Sequence, residues 1–249
     1  MNALSDFTTL VRRNFRHAMR TPLALFNALI VPVFLIFMMV YVFGGAFSVG
    51  VAYIDYVTPG LIITAIGYGI SATAIAVNAD MTTGFIDRLR VMAVSRAAVL
   101  GAHVVLTTLR SLVAITLIVA IALAIGFRPS ATFAQWLGVI GLVVLTVVAL
   151  SWLAVAFGLA AGTPESAGMA AVPLMLLPFL SSAFVPAGTM GPGVRQFAEY
   201  QPFTPIIETL RGLLTGRPSA GTAVTAVAWC LGLTLVGYLL ARANFTKRG

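Results

Sequence analysis

Residues 136–160 read WLGVIGLVVLTVVALSWLAVAFGLA, a run of 25 residues without a charge. A helix that crosses the hydrocarbon core of a bilayer needs about 20 predominantly apolar residues. Because lipid offers the backbone no hydrogen-bond partners, such a segment is a helix rather than an open strand. This stretch alone predicts a membrane protein.

The rest of the chain has the same character. Of 249 residues, 60% are hydrophobic and 9% are charged, against about 25% charged residues in an ordinary soluble domain. Too few charges remain to coat a soluble surface, which excludes a soluble globular protein and also a disordered or collagen-like chain. We predict an all-α integral membrane protein of one domain, 1–249, with six transmembrane helices. The predicted spans are about 23–43, 57–79, 104–125, 136–160, 167–184 and 223–241.

The basic residues predict the orientation of these spans. With the N-terminus in the cytoplasm, the inner segments hold 11 Lys and Arg residues, counting Arg110 at the inner end of the third span, and the outer segments hold 4. This is the bias of the positive-inside rule. We expect a multi-pass protein of the cell (plasma) membrane with both termini cytoplasmic. The net charge of +8 then favours anionic membrane lipid as a partner and not nucleic acid.

The segment before the first span, 1–22, has the pattern of an interfacial amphipathic helix. At 100° per residue its apolar side chains fall on one face and its arginines on the other. The helix serves either as a simple membrane anchor or as a surface for a partner. Its basic residues are Arg12, Arg13, Arg16 and Arg20.

The largest inner gap, between the second and third spans, reads DMTTGFIDRLRVMAVSRAAVLGAH, residues 80–103. Apolar residues recur in it at positions i, i+4 and i+7 beside charged ones, which favours a short amphipathic helix parallel to the membrane. The alternative is a solvated loop. The apolar positions are Phe85, Leu89 and Met92, and the charged ones are Asp87, Arg88 and Arg90.

The gap between the fifth and sixth spans, 185–222, is too apolar for a free loop. Pro192 can open one short helix through Tyr200, and Pro205 a second through Leu214. Gly216 and the proline that follows it stop the second helix. We predict a helical hairpin that partly re-enters the outer leaflet, which requires burial against protein.

Several kinds of chemistry are missing from the sequence. A nucleotide-binding P-loop needs G-x-x-x-x-G-K-[ST], but the only lysine is Lys247, with Thr246 before it. The two histidines, His17 and His103, show no i, i+4 metal pair, and Cys230 is the only cysteine. The nucleophile motif G-x-S-x-G is absent as well. We expect no catalytic residues, no metal site and no cofactor in this chain.

Arg110 is the ionisable residue that falls clearly within a predicted span. At the bilayer centre an arginine costs about 2.5–3.5 kcal/mol on insertion scales. Its predicted place near the inner end of the third span would reduce that cost by snorkelling or by pairing with an acid. Both a structural and a functional role remain open.

Glycines recur in the last spans. Gly158 and Gly162 form a G-x-x-x-G pattern, and Gly232 and Gly237 mark the sixth span. Such residues allow close helix packing. We expect packing within this chain, with a dimer contact as the alternative.

The order of these segments resembles that of type-2 ABC exporter permeases, especially the daunorubicin-resistance-type drug exporters. The resemblance covers nearly the whole chain. Its most specific part is Pro192, nine further residues, and then PFTPIIETLR, residues 202–211. A second part is TGFIDRLRVMAVSRAAVLGA, residues 83–102, which is similar to the run found in the family's inner coupling helix.

The resemblance implies partners that the chain lacks. Two such permeases, identical or related, would pair in the membrane above two soluble ATP-binding ABC subunits, which would bind ATP and magnesium. The basic N-terminal helix and an inner coupling helix would contact those subunits. The coupling residues would be Gly84, Phe85, Asp87, Arg88, Leu89, Arg90, Met92 and Arg96.

The resemblance also implies an outer gate and a path for a lipophilic substrate. The hairpin would form the gate, through Pro192, Pro202, Phe203, Glu208 and Arg211. The path would run between the two permeases along the first, second and fifth spans. Aromatic residues there would suit amphiphilic drugs or lipids, unless they only face lipid or fill space. They are Phe34, Phe37, Tyr41, Tyr68, Phe179 and Phe184.

We therefore expect the transmembrane subunit of an ATP-driven exporter for amphiphilic drugs or lipids. A related alternative is the permease of an exporter for glycans or lipid-linked polymers. An alternative of another class is a membrane channel or scaffold that works without a motor. The missing catalytic motifs argue against an intramembrane enzyme.

Overall fold

The computed structural model describes residues 22–47, 49–82 and 96–247, with side chains for 30–47, 49–82 and 100–245. The regular structure within these residues is helical throughout, as predicted. Its α-helices are α1 (Pro22–Phe37), α2 (Tyr53–Thr82), α3 (Arg96–Ala124), α4 (Phe133–Ala160), α5 (Pro164–Leu176), α6 (Val194–Tyr200), α7 (Phe203–Leu214) and α8 (Ala220–Lys247).

Four of the described helices are long and apolar enough to cross a bilayer: α2, α3 from Leu100, α4, and α8 as far as Phe245. They overlap the second, third, fourth and sixth predicted spans. Two apolar helices are shorter. Residues Ile30–Val42 run from α1 into a π-helical turn, and Pro164–Leu180 combines α5 with a turn of 3₁₀ helix. That the first and fifth helices also cross the membrane stays a prediction.

Helix α2 is the centre of the molecule. Helices α1, α3, α4, α5 and α7 all pack against it, and α8 packs along α4 and α7. Buried hydroxyls in these helices bond to their own backbone, as Thr58 does to the Ile54 carbonyl and Thr146 to the Leu142 carbonyl. In an apolar bundle this satisfies groups that lipid could not.

The fifth predicted span ends too late. The helix stops at Leu180 and residues 181–184 form a turn, so Phe184 is not on a helix as predicted. Pro173 and Pro178 each lack an amide donor, and the α-helix gives way to a 3₁₀ turn over Leu177–Leu180. The turn then packs on α2, where a Cβ at Gly60 would lie 2.6 Å from the Ala183 carbonyl oxygen.

The predicted hairpin between the fifth and sixth spans is present as two short helices, α6 and α7. Gly193 begins the first with φ of 86°, and Gly216 follows the second with φ of 71°. Both angles lie in the left-handed region that only glycine adopts readily. Helix α7 starts at Phe203, two residues before the predicted start at Pro205. Its entry into the outer leaflet stays a prediction.

The prediction that glycines allow close helix packing within this chain holds for two of the four glycines named. A Cβ at Gly158 would lie 2.6 Å from the Ala74 carbonyl oxygen, and one at Gly237 would lie 2.8 Å from the α4 backbone at Leu153. Nothing lies within 4 Å of a Cβ at Gly162 or Gly232. Gly162 comes after the end of α4, so G-x-x-x-G is not a continuous packing face here.

Helix α3 is longer than the predicted third span, and the place of Arg110 near the inner end of that span stays a prediction. Helix α3 begins at Arg96 and has 29 residues, so Arg110 is at its middle and not near an end. The rise of about 1.5 Å per residue places it roughly 21 Å from each end. The sequence had placed the start of this helix eight residues later, since apolarity marks the lipid-facing part of a helix and not its whole length.

Two predicted elements lie outside the described residues. They are the interfacial helix, with Arg12, Arg13, Arg16 and Arg20, and the inner coupling helix, with Gly84, Phe85, Asp87, Arg88, Leu89, Arg90 and Met92. Arg96, the last of the coupling residues, is the first residue of α3.

Candidate functional site

Arg211, on the last turn of α7, ties three parts of the molecule together. Its Nε donates to the Tyr56 carbonyl at 3.1 Å, and one terminal nitrogen donates to the Ser182 carbonyl at 2.8 Å. The other terminal nitrogen pairs with a Glu208 carboxylate oxygen at 2.7 Å. The guanidinium carbon also lies 3.8 Å from the centre of the Tyr56 ring. Helix α7 is thereby fixed to α2 and to the turn after α5.

Neighbouring side chains hold the same turn. The hydroxyl of Tyr56 donates to the Ser182 carbonyl at 3.0 Å, and that of Tyr53 donates to the Phe184 carbonyl at 3.0 Å. The Ser182 amide donates to Thr204 Oγ1 at 3.3 Å. Together these groups satisfy a buried, non-helical stretch of backbone. We call the set the arginine clamp: Tyr53, Tyr56, Ser182, Thr204, Glu208 and Arg211.

The clamp combines strong contacts with partial access to solvent. The Arg211 side chain is 11% exposed, whereas Glu208 is 41% exposed. Hydrogen bonds from a charged donor are stronger than neutral ones, and burial strengthens them further. A cation over an aromatic ring adds about 0.5–2 kcal/mol. The arrangement can hold the hairpin closed against α2, and it can be broken as a unit if α7 moves.

The structure brings two of the five predicted gate residues into contact. Glu208 and Arg211 belong to the clamp, and Phe203 is buried in the hydrophobic core. Pro202 is the residue from which α7 starts. Pro192 is exposed, ahead of α6 and without a contact to the clamp, so the predicted set of five does not form one cluster.

Sequence reasoning missed Tyr53, Tyr56, Ser182 and Thr204. The two tyrosines could have been suspected, because Tyr at the end of a span often marks a membrane interface. The serine and the threonine carry no such signal. They matter only because the turn after α5 and the start of α7 meet in space.

The aromatic residues predicted to line the substrate path lie in two different places. Phe34, Phe37 and Tyr41 lie on one exposed side of the first helix, and Tyr41 is 65% exposed. The rings of Phe37 and Tyr41 are stacked with centroids 5.9 Å apart. This exposed row is available to a lipophilic molecule, to lipid or to another chain.

The other three path aromatics are part of the interior. Phe184 is buried, while Tyr68 and Phe179 are half-buried and pack against the core. Phe179 and Phe184 are stacked with centroids 5.0 Å apart. The six residues therefore do not line one continuous path within a single chain.

The opposite end of α2, which leads into the predicted coupling segment, is also bound by polar contacts. His103 Nε2 of α3 lies 3.3 Å from Asp80 Oδ2 of α2, and the histidine is buried. The Asn78 amide nitrogen donates to the carbonyls of Gly158 and Ala161, at the end of α4. Helices α2, α3 and α4 are thus joined where the coupling segment begins and ends.

The described residues contain no group of three His, Cys, Asp or Glu side chains that could hold a metal ion. Cys230 is buried, with its sulfur 3.5 Å from Thr146 Oγ1.

Two comparisons with known proteins bear on this geometry. Residues 5–215 match the family described as ABC-2 type transporter. The chain is also 29% identical over 235 residues to the daunorubicin resistance ABC transporter permease protein DrrB1 of Streptomyces coeruleorubidus, which covers 91% of this chain and 79% of that protein. The arginine clamp lies within both matched regions.

Proposed function

This chain belongs to the ABC-2 type transporter family, and from that premise we propose that it is the permease subunit of an ATP-driven exporter. Permeases of this family are transmembrane subunits that work with an ATP-binding ABC partner, and are not ATPases themselves. The proposed cargo is an amphiphilic drug or lipid, taken from the cytoplasm or the inner leaflet. The proposed assembly has two permeases and two ATP-binding subunits.

The observation that carries this proposal is the arginine clamp. An exporter must keep its outer side closed while cargo enters from the inside, and open it for release. The clamp joins α7 of the hairpin to α2 and to the turn after α5. Its charged hydrogen bonds and its cation–π contact are strong as long as the groups stay in contact. In the proposed mechanism, ATP-driven movement of α2 and α5 separates these groups and opens the gate.

Coupling to the motor would begin at the other end of α2. The contacts of His103 with Asp80, and of Asn78 with the end of α4, would let a push on the coupling segment move several helices together. ATP binding can shift the permease toward one state only to the extent that the ATP-bound motor has a higher affinity for that state than for the other. The coupling residues from Gly84 to Arg96 are proposed as that contact.

Two observations support a lipophilic cargo. Phe34, Phe37 and Tyr41 present an exposed aromatic row on the first helix, and aromatic side chains commonly line sites for lipophilic molecules. The relative DrrB1 is described as a daunorubicin resistance protein. The row would face the cargo between two paired permeases.

A pull-down from native membranes in a mild detergent tests the assembly. The tagged chain should bring down an ATP-binding subunit in about equal amount, and the eluate should hydrolyse ATP with magnesium. A second permease band would indicate a heterodimer, and its absence a homodimer. Failure to recover an ATPase in several mild detergents would contradict the exporter and favour the motor-independent channel or scaffold.

Transport itself is tested with inverted membrane vesicles that contain both subunits. A fluorescent lipophilic drug should accumulate inside on addition of ATP, and should not with a motor whose ATP hydrolysis is disabled. A fluorescent lipid should be tested alongside the drug, to separate the two cargo classes. Equal uptake with the active and the disabled motor would contradict the proposal.

A further inference from the structure

Arg110 is a cation in the middle of an apolar helix, and the described protein gives it no partner. Its Nε is buried without a hydrogen bond. None of the ion pairs among the described side chains includes it. The neighbouring Thr107 hydroxyl already donates to the His103 carbonyl and lies 2.7 Å from Thr73 Oγ1. The hydroxyl hydrogen of Thr107 is therefore already used.

The residue stands at the border between the interior and an exposed face of α3. Thr107 and Ser111, on one side of it, are buried. Leu109 and Val113, on the other side, are exposed, the latter to 64%. The terminal nitrogens of Arg110 are not among the buried atoms without partners. A ligand that approaches along the apolar face of α3 can reach them.

Arg110 is separate from the polar contacts at the inner end of α2. It lies seven residues after His103, which pairs with Asp80, and at about 1.5 Å per residue that is roughly 10 Å along the helix. An arginine within an apolar helix needs acceptors for its hydrogen-bond donors. An anion that approaches along the exposed face of α3 would supply them.

Neither this chain nor a second copy supplies that anion from a described helix interior. The described carboxylates lie near helix ends or in the hairpin: Asp55, Asp80, Glu165, Glu199 and Glu208. The other two acidic residues, Asp6 and Asp87, lie outside the apolar runs of the sequence. A carboxylate that pairs with Arg110 beside the middle of α3 would therefore belong to another molecule.

We infer that Arg110 is the anion-binding residue of an intramembrane site for an amphiphile with an acidic headgroup. The guanidinium binds the phosphate or carboxylate, and the exposed apolar face of α3 contacts the hydrocarbon part. A planar guanidinium suits such groups because it can donate two parallel hydrogen bonds. The site goes beyond the proposed export function and needs no ATP, so binding can be measured even if that function fails.

The test uses the full chain in phosphatidylcholine nanodiscs with spin-labelled probes. Two pairs are compared: phosphatidic acid with phosphatidylcholine, and stearate at alkaline pH with its methyl ester. The wild-type protein should immobilise each acidic probe that it binds about tenfold more strongly than the neutral one, as expected for one charge-assisted hydrogen bond. The wild-type measurement needs no variant, and no preference for either acid would overturn the inference.

Variants test whether Arg110 is responsible for the preference for acidic probes. Arg110→Gln should abolish the preference, Arg110→Lys should keep part of it, and Arg217→Gln should keep all of it. Arg217 is a matched control, because it is an exposed arginine between α7 and α8. A preference for phosphatidic acid alone identifies a lipid headgroup, and one for stearate as well identifies single-chain acids. An unchanged preference in Arg110→Gln would also overturn the inference.

Discussion

At the scale of single residues, Arg211 shows why a guanidinium suits the clamp. Its three nitrogens reach a carbonyl on α2, a carbonyl in the turn after α5 and a carboxylate on α7, while its plane stacks on Tyr56. Lysine carries the same charge, but its ammonium is a compact point charge on a flexible stem. It cannot make all of these contacts in one position.

We predict that Arg211→Ala lowers stability and impairs export, and that Arg211→Lys restores only part of either. Loss of the hydrogen bonds and of the stacking on Tyr56 should cost about 1–3 kcal/mol. Thermal unfolding in detergent and drug uptake by inverted vesicles measure the two effects. Arg195→Ala is the control, because its ion pair with Glu199 is exposed on the same hairpin. Full transport by Arg211→Ala would show that the clamp is not part of the gate.

The same residue marks a limit of sequence reasoning. Resemblance to a family pointed to Arg211, but Tyr56, one of its main partners, is 155 positions away in the chain. No local period encodes that contact, since it depends on how α2 and α7 pack. The aromatic residues of the predicted path show the same limit. Phe34 and Phe184 are the same residue type, and only the packing of the helices exposes one and buries the other.

At the scale of elements, local chemistry predicted more. Apolar runs located the helices, since their lengths reflect the thickness of a bilayer. Gly216 was correctly predicted to end the second hairpin helix, whereas the first begins after Gly193 and not at Pro192. Helix ends were predicted less well. Thr132 and Thr163 cap α4 and α5 through reciprocal bonds with Gln135 and Ser166, and such caps lie outside the apolar runs.

The packing of α8 on α4 yields a prediction with an internal control. Gly237→Ala should destabilise the protein by about 1–3 kcal/mol, because the new methyl group would meet the α4 backbone at Trp152 and Leu153. Gly232→Ala, on the same helix with open space around it, should be neutral or stabilise by up to about 1 kcal/mol. Thermal unfolding of the two variants side by side is the measurement. Equal stability of both would mean that α8 does not pack as described.

The predicted coupling helix allows a test of the contact between this chain and the ATP-binding subunit. Replacing Arg88 and Arg90 by Glu should weaken binding of the ATP-binding subunit, because reversed charges repel a surface that basic residues attract. Insertion into the membrane should be unchanged. Co-purification and stimulation of ATP hydrolysis are measured, with Arg217→Glu as the matched charge reversal elsewhere. Unaltered docking and stimulation would remove Arg88 and Arg90 from the motor contact.

At the scale of the whole molecule, the clamp and the contacts of Asp80, His103 and Asn78 lie at opposite ends of α2. This helix is also the one on which five others pack. A displacement applied at one end of a well-packed helix is carried to the other, because interiors are dense and resist compression. The placement of both polar sets on α2 therefore suits a molecule whose inner motor must open an outer gate.

An exit gate at the clamp requires that the clamp face outward and that both termini face the cytoplasm. Three arginines weigh against that orientation, Arg195, Arg211 and Arg217, since basic residues favour the inner side. Two of the three have a local structural role, because Arg195 pairs with Glu199 and Arg211 with Glu208, each at 2.7 Å. Ion pairs within the hairpin therefore explain why Arg195 and Arg211 are present there.

We predict that a protease site after Gly249 resists protease added to intact cells, whereas one inserted after Gly191, in the exposed segment before α6, is cut. Both should be cut once the cells are permeabilised, which shows that each site is accessible in itself. A cytoplasmic marker protein must remain intact in the first condition. Cleavage after Gly249 with the marker intact would place the C-terminus outside. The clamp would then face the cytoplasm, where it could not be the exit gate of an exporter.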